Sequence, residues 1–158
     1  MNGILDVSSG FPLTVFSGFH TYTFYDSGTR VATASGSGTS NRAAYSGSAP
    51  TGGVRRTDRG VEFFTAEERA AFHTPEAGDV GSERNQFTGP GFFQVDFGVF
   101  KKVPIARRQL ELRVEVFNLF DTVNFSDPTI LATSGSFGFI TDTRVPPRIV
   151  QLGVKFYF

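Results

Sequence analysis

The chain has no cysteine, no tryptophan and a single methionine in 158 residues. The missing thiols exclude disulfides and thiolate metal sites, and they suit a compartment in which stray thiols would be oxidised. Charge of either sign is not in excess: 15 Lys and Arg balance 15 Asp and Glu. That balance removes the electrostatic case for nucleic acid, which needs a basic stripe against phosphate. No run of about 18 apolar residues occurs, so a helical membrane span is excluded, although that test does not detect an alternating strand. The opening Met1-Asn2-Gly3 has neither the basic start nor the apolar centre of a signal peptide. Leucine is sparse and no segment keeps an apolar period of 3.6, which argues against long helices.

What the chain does have is phenylalanine, 19 of them, and 18 glycines. Phe, Val and Thr favour strands, while Gly and Ser favour turns. Three segments alternate with a period of two. Phe93, Val95, Phe97 and Val99 alternate with Gln94, Asp96 and Gly98; Leu110, Leu112, Val114 and Val116 alternate with Glu111, Arg113 and Glu115. At the end, Val150, Leu152, Val154, Phe156 and Phe158 alternate with Gln151, Gly153, Lys155 and Tyr157. Each segment therefore has one apolar face and one polar or ionisable face. A soluble antiparallel sandwich and a transmembrane barrel both produce this pattern. Strand lengths near the roughly 9–11 residues of a tilted span, alternating short and long connections, and the aromatic end favour the barrel.

Before residue 91 the text is less regular. A broken strand signal covers about residues 3–16, interrupted at Gly10-Phe11-Pro12. Residues 17–91 are polar and turn-rich, with the low-complexity stretch Ser35 to Ser40 reading as a flexible linker. Such composition is not expected to bury a core by itself. Thr65-Ala66-Glu67-Glu68 fits a capping box that opens a short helix over about Ala66 to Phe72, which Pro75 prevents from extending. The expected architecture is all-β: about four antiparallel strands (3–16, 92–100, 110–118, 148–158) of a transmembrane barrel segment, one short helix, and long irregular loops at about 17–91 and 119–147.

Residues that invite a catalytic reading have simpler ones. His20 and His73, the two imidazoles, lack nearby partners at metal-ligand spacing. Glu111 and Glu115 flank Arg113 on one strand face, as a charge ladder between paired strands would. No Gly-x-Ser-x-Gly elbow is present, and Ser35 to Ser40 lacks the Lys of a phosphate loop. No catalytic residue, metal site or cofactor is expected, and the chain does not read as an enzyme. Lys101, Lys102, Arg107 and Arg108 make a basic turn, suited either to solvent or to anionic head groups. Phe92, Phe93, Phe100, Phe117, Phe120, Phe156, Tyr157 and Phe158 gather at strand ends, as girdle aromatics or as core.

The ordered text resembles the C-terminal end of TonB-dependent outer-membrane receptors of the Oar-like group, whose N-terminus carries a carboxypeptidase-regulatory-like domain. The matching residues run Gly89 to Lys102, Leu112 to Asp121, Asn124-Phe125, Phe137 to Thr141 and Pro147 to Phe158, with Gly3-Ile4 and Ser9 to Val15 upstream. The likeness is strongest over 85–158 and weakest over 17–84. It implies a barrel of roughly 22 strands with an internal plug, outer-membrane localisation, and energised uptake of a scarce nutrient through TonB.

On that resemblance Phe93, Val95, Phe97, Val99, Leu110, Leu112, Val114, Val116, Val150, Leu152, Val154 and Phe156 face lipid. Gln94, Asp96, Glu111, Arg113, Glu115, Gln151 and Lys155 face the lumen. Leu152, Val154, Phe156 and Phe158 resemble the signal read by the barrel-assembly machinery. The implied partners are outer-membrane lipid, that machinery, the remaining barrel and plug, and TonB through an N-terminal part. Both ends of such barrels are periplasmic, so 101–109 is expected as a periplasmic turn and the two long loops as extracellular. Four strands do not close a barrel, for which about eight is the minimum. The chain is accordingly expected to be a fragment without plug or signal peptide, inactive as a transporter alone. A soluble β-sandwich binding module and a four-strand protomer of a trimeric barrel are the alternatives.

Overall fold

A computed structural model describes residues 1–25, 30–76, 79 and 81–158, with side chains omitted for 19–40. In chain order the strands are β1 (Asn2–Ser8), β2 (Pro12–Leu13), β3 (Phe16–Tyr25), β4 (Arg30–Arg42), β5 (Ala44–Tyr45), β6 (Arg55–Thr57) and β7 (Gly60–Glu62). After helix α1 (Ala66–Ala71) come β8 (Phe72–His73), β9 (Phe87–Thr88), β10 (Phe92–Ile105), β11 (Arg108–Phe117), β12 (Phe139–Ile140) and β13 (Ile149–Tyr157). Among the described residues the fold is all-β, built of antiparallel sheets with one short helix. It divides into two compact units, one of residues 1–9, 91–125 and 143–158, the other of 10–90 and 126–142.

The first unit is a four-stranded antiparallel sheet in the order β1-β10-β11-β13. Pairings such as Leu5↔Val95, Val99↔Val114 and Leu112↔Val154 keep the apolar rows in step. A one-residue slip would invert every side chain, so the alternation itself specifies the register. β10 and β11 are joined by a two-residue turn, Ala106-Arg107, closed by the pair Ile105↔Arg108. The two long connections, after Ser8 and after Phe117, begin and end at the opposite end of the sheet from that turn.

Strand boundaries differ from expectation in two places. The segment 101–109 is not a turn: β10 continues through Lys101, Lys102, Val103, Pro104 and Ile105, paired with Leu112 back to Arg108. Pro104 is tolerated because β1 pairs with β10 only as far as Gly98, so a missing N–H on that side breaks no ladder. Phe100 consequently lies within the ladder, not at a strand end. The segment 3–16 is two separate strands and the start of a third. β1 stops at Ser8, and Gly10 runs so close to the chain at Gly89 that a Cβ would lie 1.7 Å from the Gly89 carbonyl oxygen. Pro12 and Leu13 then pair with Thr88 and Phe87.

The second unit overturns the expectation of an irregular loop over 17–91. β3 and β4 form a long antiparallel pair, and the Ser35 to Ser40 stretch read as a linker lies in β4. Its backbone is laddered by the strand-forming Phe, Tyr and Thr of β3, with Gly18↔Gly38 and Phe19↔Ser37 in register. The unit also holds a packed core: Leu13, Val15, Ala43, Ala44, Phe63, Phe64, Phe72, Phe87, Phe137 and Ile140 are buried. Phe64 is its centre, with ring centroids 4.9–5.7 Å from Phe63, Phe72, Phe87 and Phe137. Segment 10–90 does not fill this core alone, since Phe137 and Ile140 come from 126–142. Gly138 (φ +75°) makes the link, its carbonyl accepting from the Phe63 and Phe64 amides.

α1 begins where the sequence places it. Glu68 N–H donates to Thr65 Oγ1 (3.1 Å) and Thr65 N–H donates to Glu68 Oε2 (2.8 Å), completing the capping box. The helix ends at Ala71, because Phe72 takes extended backbone and pairs with Tyr45 as part of β8.

Candidate functional site

The sheet of the first unit carries the residues singled out in the sequence. Its register places Phe93, Val95, Phe97, Val99, Leu110, Leu112, Val114, Val116, Val150, Leu152, Val154 and Phe156 on one face, with Leu5 and Val7 of β1 and Val103 and Ile105 of β10. Leu152 and Val154 are 75% and 72% exposed. A row of large apolar side chains across four strands, left uncovered, is a surface that water does not favour. At about 25 cal/mol per Å2, each such side chain gains roughly 1.5–3 kcal/mol on entering an apolar phase. Exposed apolar patches of this extent mark a partner or a membrane.

The opposite face holds Gln94, Asp96, Glu111, Arg113, Glu115, Gln151 and Lys155, with Asp6, Phe100, Lys102 and Tyr157. Several of its polar groups are tied to one another. Glu111, 4% exposed, takes a hydrogen bond from Arg113 Nε, another from the Tyr157 hydroxyl (3.3 Å), and an ion pair from Lys102 (3.9 Å). Arg113 also lies 5.2 Å from the Phe100 ring centre. Glu111 thus accepts from donors on three strands, an arrangement that knits β10, β11 and β13 together. Asp96 Oδ1 accepts from Gln94 Nε2 (2.8 Å) and from the Asn118 amide (2.9 Å).

At the end that bears the long connections, residues not singled out in the sequence organise the chain. Asn118 (φ +53°) and Asp121 (φ +54°) take left-handed backbone, which Asn and Asp tolerate better than most residues. The Asn118 carboxamide bonds to Thr122 N–H and O, and to Pro146 O (3.2 Å). The Asp121 carboxylate accepts from the Arg148 amide at the threshold of β13 (2.8 Å). Asn124 bonds both backbone groups of Phe93. The cue was present in the text: Asn and Asp spaced through 118–124 immediately after a strand is turn chemistry.

Aromatics lie toward both ends. Phe93 and Phe120 approach to 6.3 Å at the long-connection end, and Phe156 and Phe158 to 6.3 Å at the other. The histidines belong to the second unit. His73 Nδ1 meets the Ala71 carbonyl, and Nε2 is 3.6 Å from Asp79; the His20 side chain falls outside the described residues.

A family model described as an outer membrane beta barrel domain matches residues 1–151. No curated protein and no solved structure matches the chain. Of the two architectures that strand alternation allows, the family match selects the membrane barrel over the soluble sandwich. The chain belongs to the outer membrane β-barrel domain family and is a barrel protein of the bacterial outer membrane.

Proposed function

We propose that the chain supplies four neighbouring strands of the barrel of a TonB-dependent outer-membrane receptor of the Oar-like kind, which takes up a scarce nutrient with energy delivered through TonB. The observation that supports this reading is the four-stranded sheet with one predominantly apolar face and one cross-linked polar face. The apolar face meets lipid and the polar face lines the lumen. The short turn is periplasmic and the two long connections are extracellular, where they contribute to ligand recognition. The chain has no catalytic role and needs no cofactor.

Its partners are outer-membrane lipid, the barrel-assembly machinery acting on Leu152, Val154, Phe156 and Phe158, and the remaining strands and plug of its own barrel. TonB engages that barrel through its N-terminal part. The two outer strands, β1 and β13, each pair on one side only within this sheet. In lipid, every unpaired backbone group costs several kcal/mol, so the sheet needs further strands on both edges and does not transport by itself.

The same open edges favour one second reading, in which copies of the chain close a barrel together, three copies giving twelve strands on the count of four per protomer. Mass measurement in detergent separates the two. A self-closed trimer has three times the chain mass and resists dissociation; a receptor segment shows no such species.

A further inference from the structure

The apolar face of the sheet is not uniform. Among the side chains that the register puts there, from Gly3, Leu5 and Val7 through Phe156, the ionisable ones are Lys101 and Arg108. Both are cations, and both lie toward the Ala106-Arg107 turn. Lys101 sits in the row Lys101–Leu112–Val154, and Arg108 closes the hairpin opposite Ile105. Arg107 adds a third cation in the turn itself. All three are exposed, and no acidic residue shares their face. The fourth cation of the segment, Lys102, points to the other face and is engaged by Glu111.

The surroundings are those of a membrane interface. Arg108 lies 5.8 Å from the centre of the Phe156 ring, Phe156 approaches Phe158, and Ile105 is exposed beside them. Long basic side chains with apolar stems lie along apolar surface and send their charge to the water boundary. At the opposite end of the sheet the Asp121 carboxylate accepts from the Arg148 backbone amide, and the Arg148 guanidinium donates to the Leu119 carbonyl.

We propose that Lys101, Arg107 and Arg108, with Phe156 and Phe158 beneath them, form a docking surface for the head groups of anionic phospholipids in the leaflet at the short-turn end. The proposal rests on the lipid-facing reading of the sheet. Cations on a lipid-directed face reach the water boundary, where anionic head groups attract them and neutral ones do not. A neutral interface would leave three charges to water alone, with nothing to fix depth. Anionic head groups instead hold the hairpin at one level, so β10, which outruns the roughly 9–11 residues of a span, extends beyond the hydrocarbon by its basic end.

The test is partition of the full chain, refolded from denaturant, into phosphatidylcholine vesicles and into vesicles of phosphatidylcholine mixed with phosphatidylglycerol at low ionic strength. Each basic side chain near an anionic surface is worth about 1 kcal/mol, or about fivefold. The parent chain should prefer the anionic vesicles by up to about a hundredfold, and salt should erode the preference. The triple variant Lys101→Gln, Arg107→Gln, Arg108→Gln should lose it while still entering the neutral vesicles. A charge-matched control, Arg56→Gln, Arg59→Gln, Arg84→Gln, should keep it. Equal partition of the parent chain into both vesicles, or loss of preference in the control and not in the triple variant, overturns the head-group site alone. Failure to enter either vesicle overturns the lipid-facing reading and the site with it.

Discussion

The Asn124 carboxamide replaces a strand at Phe93. Its Oδ1 accepts from the Phe93 amide at 2.8 Å and its Nδ2 donates to the Phe93 carbonyl at 2.9 Å. β11 ends at Phe117, so Phe93 has no ladder partner on that side, and the side chain supplies the two bonds that a neighbouring backbone would make. The arrangement also fastens the start of the 118–148 connection to β10.

Asn124→Ala removes both bonds at once. Each such hydrogen bond contributes about 0.5–1.5 kcal/mol, so the variant should unfold more readily by roughly 1–3 kcal/mol. Amide exchange at Phe93 should accelerate while exchange in the centre of β11 changes little. Unchanged protection at Phe93 would show that another group satisfies it.

Leu152 and Gln151 are neighbours on opposite faces of β13. Leu152 lies in the row Val99–Val114–Leu152, farther from the basic turn than Val154 and therefore deeper in the apolar band. Leu152→Arg should cost roughly 2–4 kcal/mol of stability in a bilayer. Gln151→Arg, which projects to the polar face, should cost much less. Refolding titrations in vesicles measure both, and the reverse ranking would invert the face assignment.

Phe64 holds the second unit together. It is 1% exposed and touches four other rings. Phe64→Ala should destabilise that unit by about 3–5 kcal/mol, read as lost amide protection at Phe63 and at the Gly138 amide, which donates to Thr129 O. An effect below about 1 kcal/mol would mean that the aromatic cluster packs loosely.

Glu68 makes the stability of the same unit depend on pH. Burial pushes its carboxyl up, but hydrogen bonds from the Thr65 amide, the Thr51 amide and hydroxyl, and the Gly52 amide outweigh it and hold the pKa below the ordinary value. A carboxyl depressed by folding contributes stability that is fully present above its unfolded value, ~4.3, and is lost as pH falls through the lower folded value. Glu68→Gln leaves one acceptor oxygen for two sets of donors. Amide exchange at Thr51, Gly52 and Thr65 should be faster in the variant at neutral pH, with the difference closing below ~4.3. A difference that persists at low pH would assign the effect to shape instead of charge.

The sheet was legible in the sequence because its strands alternate, and alternation fixes which side chains share a face before any partner is known. Phe93 to Val99, Leu110 to Val116 and Val150 to Phe156 needed no other signal. The end of β10 was not legible in the same way: Lys101, Lys102 and Pro104 carry turn composition, and only pairing with Leu112 to Gln109 makes them strand. The second unit was hidden for a related reason. Phe63, Phe64, Phe72, Phe87 and Phe137 are scattered among Gly, Ser and charged residues with no common period, so their convergence is a tertiary fact. The Thr65–Glu68 capping box survived because it is local. Asn118 and Asn124 were visible as turn formers, but their partners Pro146 and Phe93 lie 28 and 31 residues away.

The alternation of β13 across a bilayer is the central claim, and the absence of native cysteine makes it directly measurable. Single cysteines placed in turn from Ile149 to Tyr157, spin-labelled in the vesicle-inserted protein, report collision with oxygen, which concentrates in lipid, and with a water-soluble nickel complex. Oxygen accessibility should peak at 150, 152, 154 and 156, and nickel accessibility at 151, 153 and 155. Loss of that period of two, or nickel accessibility at Leu152 equal to that at Gln151, would contradict a lipid-facing strand.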